Sequence, residues 1–411
     1  MRILLTLPFA LSITLGTVLT HGSSIRDDVP DATYQALANN EGEYAAGFRY
    51  PDFAGVAMVE NISENTHGSG ALIHPRWILT AAHVIKEDPA ENPEAGHFVV
   101  RFGAGGGNFD RTIQVEKIIM HPAWIKALDG SIVEEQLFRQ GVDIALVKLS
   151  EAVNDVPLSS ININQSETLS GLLYTSGYGV YGTGTQGRLE NDEIKRSVQN
   201  NADRILSSIE VTIPGYESLR GGQIALDFDN PDRMANTLNG FIEAPGPDGI
   251  DVRYLGDGSS LSIPQALEGT PTGGDSGGPW LMRFGREWKV VGVESYGNQE
   301  DEVYGDISIA TRVANFAGWI LPMIWEDKLG QTFDATNGWA WKQNAGLFYV
   351  GSPSWLYHET GGWIFPTTGI ESGMWFYGNN TGSWHWTQQD FLPWAFQQST
   401  GQWGVFFSFT E

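Results

Sequence analysis

The 411-residue chain contains no cysteine, which removes disulfides, thiolate metal sites and a cysteine nucleophile at once. Basic residues are scarce: 24 Lys and Arg stand against 49 Asp and Glu, a formal net charge of −25. Recognition of a phosphate backbone needs a basic footprint, so nucleic acid is excluded as a partner. No basic run offers a patch for a membrane surface either. Long apolar runs are missing beyond the first residues. The opening MRILLTLPFALSITLGTVLTHGSS has a charge at Arg2, then an apolar stretch to about Leu19 broken by Thr6, Pro8, Ser12, Thr14 and Thr17. That is the pattern of a signal peptide over residues 1–22, cut between Thr20 and Ser24, rather than of an anchor. The expected destination is outside the cytoplasm: extracellular, cell-surface or periplasmic.

With 41% hydrophobic residues, the chain can hold itself together through its core, and its length suits two or three domains. Residues 23–50 are polar apart from Tyr34-Gln35-Ala36-Leu37-Ala38 and read as a leader or pro-segment with about one helical turn. From there to residue 327, short β-rich runs alternate with Gly, Pro, Asn and Asp clusters. The runs include ALI at 71–73, WIL at 77–79, HFVVRF at 97–102, IALVKL at 144–149 and KVVGVESY at 289–296, which predict an all-β barrel or sandwich. At Val313 to Trp325 the apolar spacing turns helical, at 313, 316, 319, 320 and 323, with Pro322 inside. Beyond residue 328 lies a repeat of aromatic hairpins: Trp355 to Trp363, Trp375 to Trp384, Trp394 to Trp403, and a degenerate copy from Phe333 to Trp339. Such hairpins are marginal alone and must stack.

Three segments carry chemistry. In Thr80-Ala81-Ala82-His83, small residues deliver an imidazole to a tight turn. In Asp143-Ile144-Ala145-Leu146, a carboxylate opens an apolar strand, where it needs donors. In Gly273-Gly274-Asp275-Ser276-Gly277-Gly278-Pro279, glycines surround a serine. Taken singly, each has an ordinary reading as a surface histidine, a turn aspartate or a flexible loop. Taken together they supply what acyl transfer requires. A hydroxyl needs a base, the base needs a group to fix its tautomer, and the oxyanion needs backbone donors, for which the Gly274 and Ser276 amides are the natural pair.

TAAH at 80–83, DIALVKL at 143–149 and GDSGGP at 274–279, in that order, resemble the trypsin-like (chymotrypsin-fold) serine peptidases, as do IIMHPAW at 118–124, ESYG at 294–297 and ATRVANFAGWI at 310–320. The resemblance implies two six-stranded antiparallel β-barrels with a C-terminal helix over residues 51–327. It implies a serine endopeptidase with Ser276 as nucleophile, His83 as base and then acid, Asp143 as orienting carboxylate, and protein or peptide substrates. Ser295-Tyr296-Gly297 corresponds to the edge that pairs with substrate backbone, and Thr270 to the pocket position that is Asp in members cleaving after basic residues. Asp306 lies near that pocket wall. The family's usual new N-terminus is missing, although Asp275, its partner, is present.

The stretch between Val180 and Pro264 is longer than the family core requires and is similar to a bacterial branch, which the lack of cysteine also suits. No cofactor is expected. Asp227, Asp229 and Asp232 offer oxygen ligands of the kind structural Ca²⁺ takes, but their spacing is not that of a Ca²⁺ loop, and they read as turn residues. In the tail, residues 328–411, nine of the fifteen tryptophans fall between 339 and 403. Part of that set is expected to build the module's own core. The rest suits a polysaccharide or cell-surface ligand, since indole faces stack on sugar rings. The competing reading is a catalytically silent surface adhesin that binds through these repeats.

Overall fold

The computed structural model of the chain describes residues 23–86, 88, 91, 93–130, 132, 134–206, 211–219, 221–239, 257–297, 302–329, 339–350, 355–366 and 373–407. The signal peptide expected over 1–22 and the repeat copy expected from residue 333 lie outside them, except for Trp339.

The first barrel closes on itself in the order Val56–Asn61, Thr66–His74, Trp77–Thr80, Ala145–Leu149, Asn108–Met120 and Phe98–Gly105. Every apolar run read from the sequence in this half falls on one of these strands. The second barrel is built on Arg196–Ala202, Gly171–Gly177, Pro279–Phe284, Glu287–Gly297, Ile307–Arg312 and Gln223–Asp227, hydrogen-bonded in that order. Its ladder leaves one seam open between the first and last of these strands. A side chain bridges it: Asn200 Nδ2 donates to Asp227 O and Gly269 O, both at 2.9 Å. Trp77, Trp124 and Trp280 are fully buried, each contributing on the order of 2–3 kcal/mol by removal of apolar surface from water.

The C-terminal segment is helical, a short 3-10 turn Val313–Phe316 followed by an α-helix Ala317–Leu329 that holds Pro322. Its buried residues are Val313, Phe316, Ile320, Leu321, Ile324 and Trp325, so the expected stripe packs on the β core.

Residues 23–50 are more structured than one helical turn. Tyr34, Leu37 and Ala38, spaced for one helical face, are buried under an eight-residue helix, Asp31–Ala38. Asp31 forks onto Arg196 (2.6 and 2.9 Å), whose other donors take Asp192, and Tyr34 Oη donates to Glu268 O at 3.1 Å. Upstream, Ser24–Ile25 forms a strand between Tyr181–Thr183 and Gly269–Thr270. The segment is thus clamped to the second barrel through a partly buried ion pair and a sheet.

The tail forms one eight-stranded antiparallel meander from Trp339–Lys342 to Gln402–Val405, each strand paired with the next. Its fourth hairpin joins Trp339–Lys342 to Gly346–Tyr349, rather than ending at Trp339. A Trp-to-Trp pattern misses it because its second strand carries Phe348 and Tyr349.

Candidate active site

Register brings the first two residues together. Thr80 pairs with Ala145 across antiparallel strands, so the chain leaving at Thr80 and the chain arriving at Ala145 share one sheet end. His83 and Asp143 meet there. Asp143 Oδ1 accepts from the His83 amide at 2.9 Å, and Oδ2 lies 2.7 Å from His83 Nδ1. The Asp143 side chain is 0% exposed and that of His83 13%. A carboxylate can only accept, so this geometry puts the ring proton on Nδ1 and leaves the lone pair on Nε2.

The third donor to Asp143 was not assigned this task from sequence. Ser295 Oγ donates to Oδ2 at 2.6 Å. Ser295 sits where the register between Glu287–Gly297 and Ile307–Arg312 shifts, between Glu294 and Tyr296. An irregularity of this kind re-aims a side chain that a regular strand would send elsewhere. Tyr296 is half-buried and packs on Phe138, whose ring meets His83 edge-on at 5.3 Å. The neighbouring strand Pro279–Phe284 pairs only as far as Val293. Among the described residues, that leaves one side of Tyr296–Gly297 without a strand partner, an edge to which an extended chain can add.

Ser276 lies in the loop between Gly269–Thr270 and Pro279–Phe284, and Ser69 of the first barrel holds that loop. Ser69 N donates to Ser276 O at 2.7 Å, and Ser69 Oγ donates to Gly274 O at 2.8 Å. Gly277 has φ +83°, and a Cβ there would collide with Thr80 Oγ1 and Ser69 O. Glycine is therefore what lets the loop dock three residues from His83. Ser69 was visible in sequence only as the centre of Gly68-Ser69-Gly70, between two glycines.

The loop's peptide groups are committed in alternation. The amides of Asp275, Gly277 and Gly278 donate to Thr272 O (3.0 Å), Glu294 O (2.8 Å) and Asp275 O (2.7 Å). Those of Gly274 and Ser276 donate to no acceptor among the described residues. Gly274 reaches this arrangement at φ +94°. Ser276 Oγ is half-buried and carries no hydrogen bond among the described residues, which suits a hydroxyl that tightens onto its base once substrate is present.

Two buried acids flank the loop. Asp275 is 3% exposed; its Oδ2 accepts from Ser23 Oγ at 2.7 Å and Thr272 N at 3.2 Å, while Oδ1 has no partner among the described residues. Burial pushes its carboxyl up to about 6 against those hydrogen bonds. Glu294 accepts from Trp280 Nε1 at 2.7 Å, and burial, reinforced by Asp275 and Asp143, raises it well above the usual carboxylate range.

At the position expected to form the pocket base, Thr270 Oγ1 and Ser308 Oγ are 2.7 Å apart and both buried. Asp306, also buried, accepts from Val303 N at 2.9 Å. Nearby Glu302 is paired with Arg188, and burial pushes it up to about 7 despite that pairing. The three aspartates weighed for Ca²⁺ do not gather. Asp227 is buried and accepts from Leu238 N and Ser260 Oγ, Asp229 is buried, and exposed Asp232 accepts from the Met234 amide two residues on. Among the described residues, no three His, Asp or Glu stand where they could share a metal ion.

Comparison with known proteins matches residues 49–217 and 267–320, more than half of the chain, to the family model described as Trypsin. The unmatched stretch, 218–266, is shorter than the 180–264 expected as additional. Similar proteins include a CLIP domain-containing serine protease B4 of Anopheles gambiae, 25% identical over 297 residues that cover 66% of each chain. Another is chymotrypsin-like elastase family member 1 of Macaca fascicularis, 21% identical over 312 residues, 75% of this chain and 96% of that one. The match thus spans just under two thirds of the mosquito protein's length.

Proposed function

The chain belongs to the trypsin family of serine peptidases, and we propose that it is a secreted serine endopeptidase that cleaves peptide bonds through an acyl-enzyme. The observation that carries this reading is the convergence of three donors on buried Asp143, His83 Nδ1 among them at 2.7 Å, beside a serine loop with two uncommitted amides. In the proposed reaction, Ser276 Oγ attacks the scissile carbonyl carbon while His83 Nε2 takes its proton. The resulting imidazolium keeps its Nδ1–H on Asp143, whose other donors hold the carboxylate still. The carbonyl electron pair moves onto oxygen, and the Gly274 and Ser276 amides receive that charge. Collapse breaks the C–N bond as His83 hands its proton to the leaving amine. Water then repeats the sequence with the acyl group, regenerating Ser276.

Substrate backbone would add to the free side of Tyr296–Gly297. Thr270, where members that cleave after basic residues carry Asp, forms a neutral hydroxyl pair with Ser308, and this supports uncharged side chains at the cleaved bond over Lys or Arg. The meander at the C-terminus would hold the enzyme at a surface.

An organophosphonate probe tests the chemistry. It should label Ser276 in the mature protein, and His83→Ala should abolish labelling. Absence of labelling together with no cleavage of any member of a peptide library would leave the silent adhesin as the better account.

A further inference from the structure

Within the meander the two faces are unlike. The inward face is filled by Phe348, Leu356, Ile364, Met374, Phe376 and Ala395 with Phe407 folded onto them, all buried. No tryptophan belongs to this core, contrary to the expectation that part of the set would build it. Alternation sends every second residue the other way. Seven tryptophans, at 339, 341, 363, 375, 384, 394 and 403, are each between 36% and 49% exposed in the whole chain, and Trp355 and Trp386 are half-buried beside them. An exposed apolar face of this extent marks a binding surface.

The outward rings are ordered. Registers align Trp339, Tyr349, Tyr357 and Trp363 in one row across four strands, Phe365, Tyr377 and Trp384 in a second, and Trp375, Trp386, Phe396 and Trp403 in a third. Neighbours brace one another edge-on, as in Tyr357–Trp363 at 5.4 Å, Tyr377–Trp384 at 5.6 Å and Trp386–Trp403 at 6.0 Å. The surface is therefore set before any ligand arrives, which spares the cost of ordering it on binding.

We propose that this outward aromatic face is a binding platform for a linear, uncharged polysaccharide laid across the strands. This rests on the reading of the meander as an attachment module and is independent of the peptidase chemistry. Two properties select the ligand. The rows repeat from strand to strand at roughly 4.8 Å, so the complementary partner is a polymer of repeating rings, which a folded protein surface does not offer. Charge decides the rest: the tail, residues 328–411, contains two basic residues, Lys328 at its start and Lys342, against five acidic ones, Asp334, Glu359, Glu371, Asp390 and Glu411, a balance of −3. Lys342 is buried, with Nζ donating to Gln389 Oε1 at 3.1 Å. A polyanion or an anionic membrane would be repelled. Sugar rings present C–H faces to the electron-rich ring faces, and indole N–H and phenol O–H serve their hydroxyls. The exposed turns Asn379-Asn380-Thr381 and Gln398-Ser399-Thr400 add uncharged amides and hydroxyls at the rim.

The test is sedimentation of the full mature chain with cellulose, chitin and insoluble xylan, with alginate beads, and with zwitterionic vesicles, alongside its sedimentation velocity alone. Retention on at least one of the three neutral polymers, persisting in 1 M salt, is expected. It should fall about tenfold in Trp375→Ala and in Trp384→Ala, about what one lost stacking contact removes, and be kept in Trp384→Phe. Thermal midpoints should fall by only a few degrees, the cost of a lost edge-on ring contact, and Ser276 labelling should not change, because these rings lie outside the active site. Retention unaffected by both alanine variants overturns the proposal, as does salt-sensitive retention on alginate alone. Binding only to vesicles, or self-association abolished by the same variants, overturns the polysaccharide while keeping attachment. Binding to nothing, with monomeric behaviour, overturns both.

Discussion

Ser23 and Asp275 meet at the point where removal of the signal peptide is expected to cut, and the contact has consequences that can be worked in numbers. The Asp275 carboxyl, pushed up from 3.8 to about 6 by burial, has one oxygen on Ser23 Oγ and the other without a partner among the described residues. A shift of about 2 pK units corresponds to about 3 kcal/mol. Without an α-ammonium beside it, and despite the charge of Arg196, the folded chain holds this proton more tightly than the unfolded chain does, so stability is full below pH ~4 and falls as pH rises through about 6. A chain beginning at Ser23 would carry its α-ammonium beside this carboxylate. The shift would then reverse: stability would be present above the unfolded value and lost as pH drops below it. Because Asp275 lies between the two uncommitted amides, a term of that size tilts the loop about 100-fold toward or away from a competent form. The assay compares three purified proteins: one starting at Ser23, one with two extra residues before it, and the Ser23 form carrying Asp275→Asn. The extended chain and the Asn variant should lose at least tenfold in kcat/KM. Only the Ser23 form should lose activity as its α-amino group deprotonates above pH ~8. Equal activity and superimposable pH profiles for the first two proteins would refute the reasoning.

Three further outcomes are expected. Ser295→Ala removes one of three donors to Asp143 and should lower kcat about tenfold with little change in KM, measured by steady-state kinetics. Glu294→Gln replaces a carboxyl that burial holds above its usual range. The wild type should lose stability as pH rises, the variant should lose less, and chemical denaturation at pH 5 and pH 9 would reveal the difference. His121, whose Nδ1 accepts from Ala123 N and which sits among Tyr216, Phe316 and Trp319, is pushed down to about 4 by burial. Its contribution is full above about 6.5 and lost as pH falls through about 4, an amount near 3 kcal/mol. His121→Asn, which keeps a short acceptor, should therefore shift the acid-unfolding midpoint to lower pH, followed by far-UV circular dichroism.

What the sequence made legible was whatever local pattern specifies. Strand runs such as Trp77–Thr80 and Ala145–Leu149 are continuous apolar segments, and placing His83 and Asp143 at their adjoining ends follows from antiparallel pairing alone. The parts that stayed hidden are held by residues far apart in the chain. Ser69 is 207 positions from Ser276 yet fixes its loop, and Ser295 reaches Asp143 across 152. The ESYG pattern marks Ser295 as part of the substrate edge but says nothing of its reach to Asp143, and nothing around Ser69 beyond its two flanking glycines distinguishes it from a surface hydroxyl. The segment at residues 23–50 was misjudged for a related reason. Asp27, Asp28, Glu41 and Glu43 are exposed as their polarity suggests, but Asp31 is partly buried against Arg196, 165 residues away, so one charge that reads as solvated in sequence is half of a clamp.

The tail fails in the opposite direction, and the failure is instructive about what hydrophobic content means. In the barrels an aromatic residue is a good forecast of burial, as Trp77, Trp124 and Trp280 attest. In the meander the same residue type marks the outside, because period-2 alternation assigns faces by parity: odd positions face out from Trp339 to Tyr377, and even ones from Trp384 to Phe396. Trp363 and Trp375 are exposed while Ile364 and Phe376, one position on, are buried. Composition could not separate these neighbours; only the pairing registers do. The interior takes Ile, Met, Leu and Phe, while the outer face carries seven tryptophans that keep 36% to 49% of their surface exposed among rings that brace one another edge-on; that ordered face is the observation on which the polysaccharide proposal rests.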